Sequence, residues 1–167
     1  GFDAIVENPP FVANRNILGI NGAGYLDWLL LTTPASGGQV DLSVFFMRRS
    51  FCLVSTKGCI GAIATNTIAQ GDSRDSGLSW ICSNGGKISS AIKRVVWQGA
   101  AVIASVVVIV RGFAIDACSL DGKEVRRISA FLLPGGPDNA PVQLEESRGF
   151  SFGGCYIYGT GFTFDDQ

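Results

Sequence analysis

A chain of 167 residues, 47% hydrophobic and 16% charged, is one domain's worth of sequence, apolar enough to bury a core and not of the composition of a disordered chain. Its 13 basic and 14 acidic side chains give no overall basic field, so composition alone indicates no nucleic-acid partner. The absence of histidine excludes His-based triads, His-containing zinc sites and an imidazole general base within the chain, and no metal site is expected.

Five cysteines, Cys52, Cys59, Cys82, Cys118 and Cys155, are an odd number without C-x-x-C spacing, mostly among apolar neighbours, and read as reduced thiols of a cytoplasmic protein. The longest apolar run, 100–110, is too short for a spanning helix, and no secretory leader opens the chain, so a soluble protein with no membrane partner is expected. The chain starts at Gly1, directly on a strand-like run, and is expected to be a fragment of something longer.

In chain order, Phe2, Ala4, Ile5 and Val6 form an apolar run suited to a strand buried on both faces, halted at Asn8 by Pro9 and Pro10. The prolines fix φ and restrict their neighbours, holding Asn8 and Phe11 in a nearly preset relation at the strand's carboxyl end. Open α/β sheets bind ligands at that end. An Asn amide both donates and accepts, free carbonyls accept, and an aromatic ring stacks, a set suited to a planar ring with an exocyclic amine. For a bare Asn-Pro-Pro the plainer reading is a proline turn with a core phenylalanine.

Residues 12–36 read as a polar loop followed by a short helix around Tyr25 to Leu31; the glycine spacing there is not that of a dinucleotide loop. Tyr25 and Trp28 read as core rather than as stacking platforms. Asp41 offers an N-cap to a helix over 42–54 whose stripe of Val44, Met47, Phe51 and Val54 packs on a sheet, with Arg48 and Arg49 off it. The turn 56–58 ends that helix, and the small, β-branched run 59–65 predicts a central parallel strand. Asn66, Gln70 and Arg74 follow it, at the same sheet edge as Asn8 if the two strands are parallel.

Residues 76–83 read as a short helix, and 88–97 and 101–111 as an antiparallel hairpin. Asp121-Gly122 marks a second hairpin between strands at 115–120 and 125–133, and 134–142 is a loop or linker. The stretch 149–164 alternates aromatics with glycines and reads as the β-rich start of a different substructure. The basic pairs Arg48-Arg49 and Lys93-Arg94 fit solvated faces better than phosphate contacts.

The string FDAIVENPPF resembles the N6-adenine DNA methyltransferases, whose catalytic motif reads Asp/Asn/Ser-Pro-Pro-Tyr/Phe after a Phe-Asp-x-Ile-Val strand. YLDWLLL, DLSVFFMRRSF, GCIGAIATNTIAQGDSR and GFSFGGCYIYGTGFTFDD extend the resemblance over nearly the whole chain, and it is most similar to single-chain restriction-modification and phage-defence enzymes. The resemblance implies an α/β fold, a partial Rossmann-like class I methyltransferase sheet with a C-terminal antiparallel hairpin. It divides the chain into the C-terminal half of a catalytic domain (1–112), a hairpin and linker (113–148) and the start of a target-recognition domain (149–167).

By the same resemblance Asn8 and the Pro9 carbonyl accept hydrogen bonds from the adenine amine, Pro10 stiffens the turn and Phe11 stacks on the base. Asn8 also meets the cofactor, S-adenosyl-L-methionine, and Asn66, Gln70 and Arg74 touch the flipped base or the DNA backbone. The implied partners are double-stranded DNA with a flipped adenine and the N-terminal half of the same protein. In this family a Gly-rich turn and an acidic ribose ligand precede the catalytic motif, and neither is in this sequence. The fragment is therefore expected to bind the cofactor only within the full-length protein, and to present its first strand as an uncovered edge. A methyltransferase of protein glutamine or of an RNA base shares the Asn-Pro-Pro motif and stays open, as does a catalytically silent DNA-binding or assembly fragment.

Overall fold

The computed structural model describes residues 1–34, 36, 39–97, 102–139 and 145. They form one six-stranded mixed sheet in the order β1-β2-β4-β3-β5-β6. The strands are β1 (Phe2–Glu7), β2 (Val54–Thr65), β3 (Gly86–Trp97), β4 (Val102–Arg111), β5 (Cys118–Leu120) and β6 (Lys123–Val125). β1 runs parallel to β2, with Ala4 opposite Cys59 and Glu7 opposite Ala62. β4 is antiparallel to both β2 and β3, so the hairpin expected from the two apolar runs is present; its connection, 98–101, lies outside the described residues.

β1 is the edge of the sheet and is not buried on both faces: Phe2 is 59% and Val6 88% exposed, while Ile5 and Glu7 on the alternate face are half-buried. A continuous apolar run does not distinguish a covered strand from an edge strand, because what covers it comes from elsewhere in the chain. β2 starts at Val54 and not after 56–58, and it bulges against β1 between Phe2 and Ala4. Gly58 closes that bulge, since a Cβ there would stand 2.9 Å from the carbonyl oxygens of both Phe2 and Asp3.

The segment after Phe11 holds two helices where a loop and one helix were expected. These are α1 (Asn14–Asn21) and α2 (Ala23–Thr32), jointed at Gly22 with φ +83°. Ile17 and Leu29 reach the core, and their burial stabilises a stretch whose Asn and Gly content reads as loop.

Helix α3 (Leu42–Leu53) buries Val44, Met47 and Phe51 against the sheet as the periodicity predicts. Arg48 is buried with them, at 5% exposure, and is a correction to the reading that put it off the stripe. It stands four residues after Val44 and three before Phe51, on the same face, where Trp80 covers it. Helices α4 (Gly71–Arg74) and α5 (Trp80–Ser83) are joined by a π-helical turn, Asp75–Ser79, and Ile68, Leu78 and Ile81 join the core.

The β5–β6 hairpin turns at Asp121 and Gly122, both with positive φ, and its strands are shorter than expected. β5 pairs in parallel with β3, and the Asp121 carboxylate accepts the Lys93 N–H at 2.8 Å, closing an irregular stretch of β3. Cys52, Cys59, Cys82 and Cys118 are free thiols, though Cys52 is exposed rather than packed; Cys155 and the aromatic stretch 149–164 lie outside the described residues. Among the described residues no helix is long and apolar enough to cross a membrane.

Candidate active site

β1 ends at Glu7, and Asn8, Pro9, Pro10 and Phe11 form the turn beyond it. Asn8 and Pro10 are exposed, Pro9 is buried and Phe11 is half-buried. The Val12 N–H donates to the Pro10 carbonyl at 3.0 Å, closing a three-residue turn centred on Phe11. Because β1 and β2 are parallel, this turn opens at the same edge of the sheet as the end of β2, and β2 runs three residues past Ala62, the partner of Glu7. The parallel pairing expected to bring the two strand ends to one edge is therefore present.

The facing wall is Thr65, a 3-10 turn over Asn66–Ala69, Gln70 and α4. Asn66 is half-buried and Gln70 exposed. Arg74 is 2% exposed, its guanidinium carbon lies 3.8 Å from the centre of the Phe131 ring, and it pairs with Asp75. That charge is committed to packing the wall and is not presented at the surface, a departure from the reading in which Arg74 touches the flipped base or the DNA backbone.

Segment 39–42 joins the walls. The Leu42 N–H donates to the Val12 carbonyl at 2.9 Å, one residue beyond Phe11. The Asp41 N–H donates to Ser73 Oγ at 3.2 Å, and the Gln39 N–H to the Asp72 carboxylate at 3.1 Å. Asp41 has the extended backbone of an N-cap residue, but its side chain makes no cap hydrogen bond; its carboxylate accepts from the hydroxyls of Thr65, at 3.1 Å, and Thr67. The cap assignment is thus right in place and wrong in partner.

Glu7 was missed as a site neighbour. Ser50 of α3 donates to its Oε2 at 3.1 Å, Oε1 is buried without a partner among the described residues, and burial raises the carboxyl above its ordinary range with the Ser50 bond partly offsetting it. Asn14, three residues beyond Phe11, likewise has a buried amide nitrogen without a partner among the described residues. A charged residue directly before the proline turn was the visible signal for Glu7; nothing in the sequence marks Asn14.

A family model described as Eco57I restriction-modification methylase matches residues 1–91. No curated protein matches the chain. Among solved structures, the Type IIL restriction-modification enzyme MmeI in complex with DNA superposes with a TM-score of 0.62 at 18% identity, covering 80% of this chain and 20% of that one. A protein of Vibrio vulnificus YJ016 described as a modification subunit gives 0.45 at 14% identity over 71% of this chain and 25% of that one, too loose to bear on the fold. The chain thus spans about a fifth of the length of the MmeI chain whose fold it shares. The family match begins on β1 and runs through the proline turn, α3, β2 and both cleft walls into β3, more than half of the chain, and on it this protein belongs to the Eco57I restriction-modification methylase family.

Proposed function

We propose that this chain carries the catalytic turn of a site-specific DNA adenine-N6 methyltransferase of restriction-modification or phage defence, working in the cytoplasm as part of a larger catalytic domain. The observation that carries the reading is the shared sheet edge: Asn8 and Phe11 follow the end of β1, and Asn66 and Gln70 follow the end of the adjacent parallel strand β2. The family is one of methylases, enzymes that in general take the methyl group from S-adenosyl-L-methionine.

An exocyclic amine is a poor nucleophile because its lone pair is delocalised into the ring. Asn8 Oδ1 and the Pro9 carbonyl accept its two N–H bonds, localise the pair and aim it, with Pro10 keeping the acceptors at fixed spacing. The amine is activated by these two acceptors and not by a strong base. Extruding the adenine from duplex DNA costs a few kcal/mol, and stacking on Phe11 returns about 1–3 kcal/mol. Asn66 and Gln70 bound the base or its backbone from the other wall, and Arg74 holds that wall in place from behind.

Asn8 is exposed and Val6 stands bare on the open face of the edge strand, so a ligand or a further strand has access there. S-adenosyl-L-methionine, when bound, supplies the methyl group; Asn8 is the residue of this chain that would meet it. In this reading the sheet, its β5–β6 hairpin included, is the C-terminal part of a Rossmann-like class I methyltransferase sheet, the remainder of 113–148 connects it onward, and 149–167 begin the target-recognition region.

The test is transfer of labelled methyl groups by the full-length protein to DNA, RNA and protein, with wild type and Asn8→Ala compared. Label in DNA adenine, lost in the variant, is expected; label only in RNA or protein would overturn the DNA assignment, and DNA binding without transfer would favour a silent binding fragment.

A further inference from the structure

We infer that Asp41 is a positioning residue that holds the two walls of the cleft at working separation, an inference that rests on reading the cleft as the pocket for the target base. An aspartate at a helix N-cap ordinarily accepts a first-turn N–H, a contact worth about 1 kcal/mol. Asp41 occupies that place and forgoes the contact. One of its oxygens takes the hydroxyls of Thr65 and Thr67, which themselves stand 2.6 Å apart and bracket Asn66.

The backbone around it is tied with equal economy. The Asp41 N–H reaches Ser73, and the next N–H, that of Leu42, reaches Val12 directly behind Phe11. Two adjacent residues thus touch the proline-turn wall and both ends of the facing wall. The carboxylate forms no ion pair among the described residues, so its charge is spent on neutral hydroxyl donors, which such charge-assisted bonds hold at short range and defined direction. The helix α3 beneath it is anchored in the core by Leu42, Val44 and Phe45, a rigid base from which to hold both walls. A shift of the walls by about 1 Å would misplace the base enough to lower the rate roughly 100-fold while leaving its outer contacts intact.

The test uses the full-length protein with Asp41→Ala, Asp41→Asn, Thr67→Val and the Asp41→Ala/Thr67→Val double variant. With DNA as acceptor, Asp41→Ala should lower kcat by about 30- to 100-fold with KM for DNA within about threefold, because a positioning loss is felt in the transition state. The fluorescence rise of 2-aminopurine placed at the target position should fall with it. Asp41→Asn, which keeps an acceptor, should recover part of the rate, and the double variant should be no slower than Asp41→Ala. Wild-type kcat in both Asp41→Asn and Thr67→Val would overturn the inference even if Asp41→Ala failed to fold. If wild type labels RNA or protein instead, the DNA reading falls, and the same variants measured on that acceptor still decide the role of Asp41. Amide hydrogen exchange supplies a readout without turnover: residues 8–12 and 65–70 should loosen together in Asp41→Asn, and loosening of one segment alone would overturn the coupling.

Discussion

The guanidinium carbon of Arg48 lies 3.9 Å from the centre of the Trp80 ring, joining α3 to α5 by a buried cation on an aromatic face. The same guanidinium donates to the Pro34 carbonyl at 2.8 Å and the Ser76 carbonyl at 3.4 Å, and burial pulls its pKa below the usual arginine value. Arg48→Ala removes the cation, its charged hydrogen bonds and its packing, and should destabilise the protein by about 2–4 kcal/mol. Arg48→Met, which retains the buried stem, should recover part of that. The midpoint of urea unfolding checks both.

Gly112 has φ +72°, and a Cβ there would stand 1.9 Å from the Thr56 carbonyl oxygen. Gly122 has φ +77° with open space around it. Gly112→Ala should therefore cost on the order of 3 kcal/mol or more, from strain and collision together, and Gly122→Ala about 1 kcal/mol from strain alone. Thermal unfolding of the two variants side by side separates the effects.

Glu7 binds its proton more tightly in the folded chain than the ordinary carboxyl value of 4.5, because burial disfavours its charge more than Ser50 restores it. The folded state is thus favoured by protonation. The contribution of this group to stability is fully present below 4.5 and is lost as pH rises through the raised folded value. Glu7→Gln should flatten that part of the profile of unfolding free energy against pH, and an unchanged profile would show that Glu7 does not carry it.

Phe11 is half-buried in the turn that follows β1. Phe11→Ala should lower kcat/KM on DNA by about 5- to 150-fold, the value of the lost stacking, and Phe11→Tyr should stay near wild type. Steady-state methylation of a duplex checks this, with a single-stranded substrate, which needs no extrusion, as the contrast.

Local chemistry was legible residue by residue. Prolines at Pro9 and Pro10 had to end β1, the periodicity of Val44, Met47 and Phe51 had to make α3 a core helix, and Asp121-Gly122 had to turn a hairpin. The failures share one cause. Whether α1 forms depends on a core for its Ile17 to enter, and whether Arg48 is wet and Arg74 reaches outward depends on Trp80 and Phe131 arriving from elsewhere in the chain. Periodicity carries no information about such arrivals.

The sequence by itself determined that a stiff Asn-Pro-Pro-Phe turn follows a strand and that a second strand ends just before Asn66, because φ restriction and β-branching act within a few residues. Only the tertiary structure decided that the two strands are parallel neighbours, and hence that both ends share one edge. It also decided that Asp41 leaves its own helix to hold Thr65 and Thr67. A carboxylate chooses among donors by distance in space, and the hydroxyls it found lie more than twenty residues away in the chain.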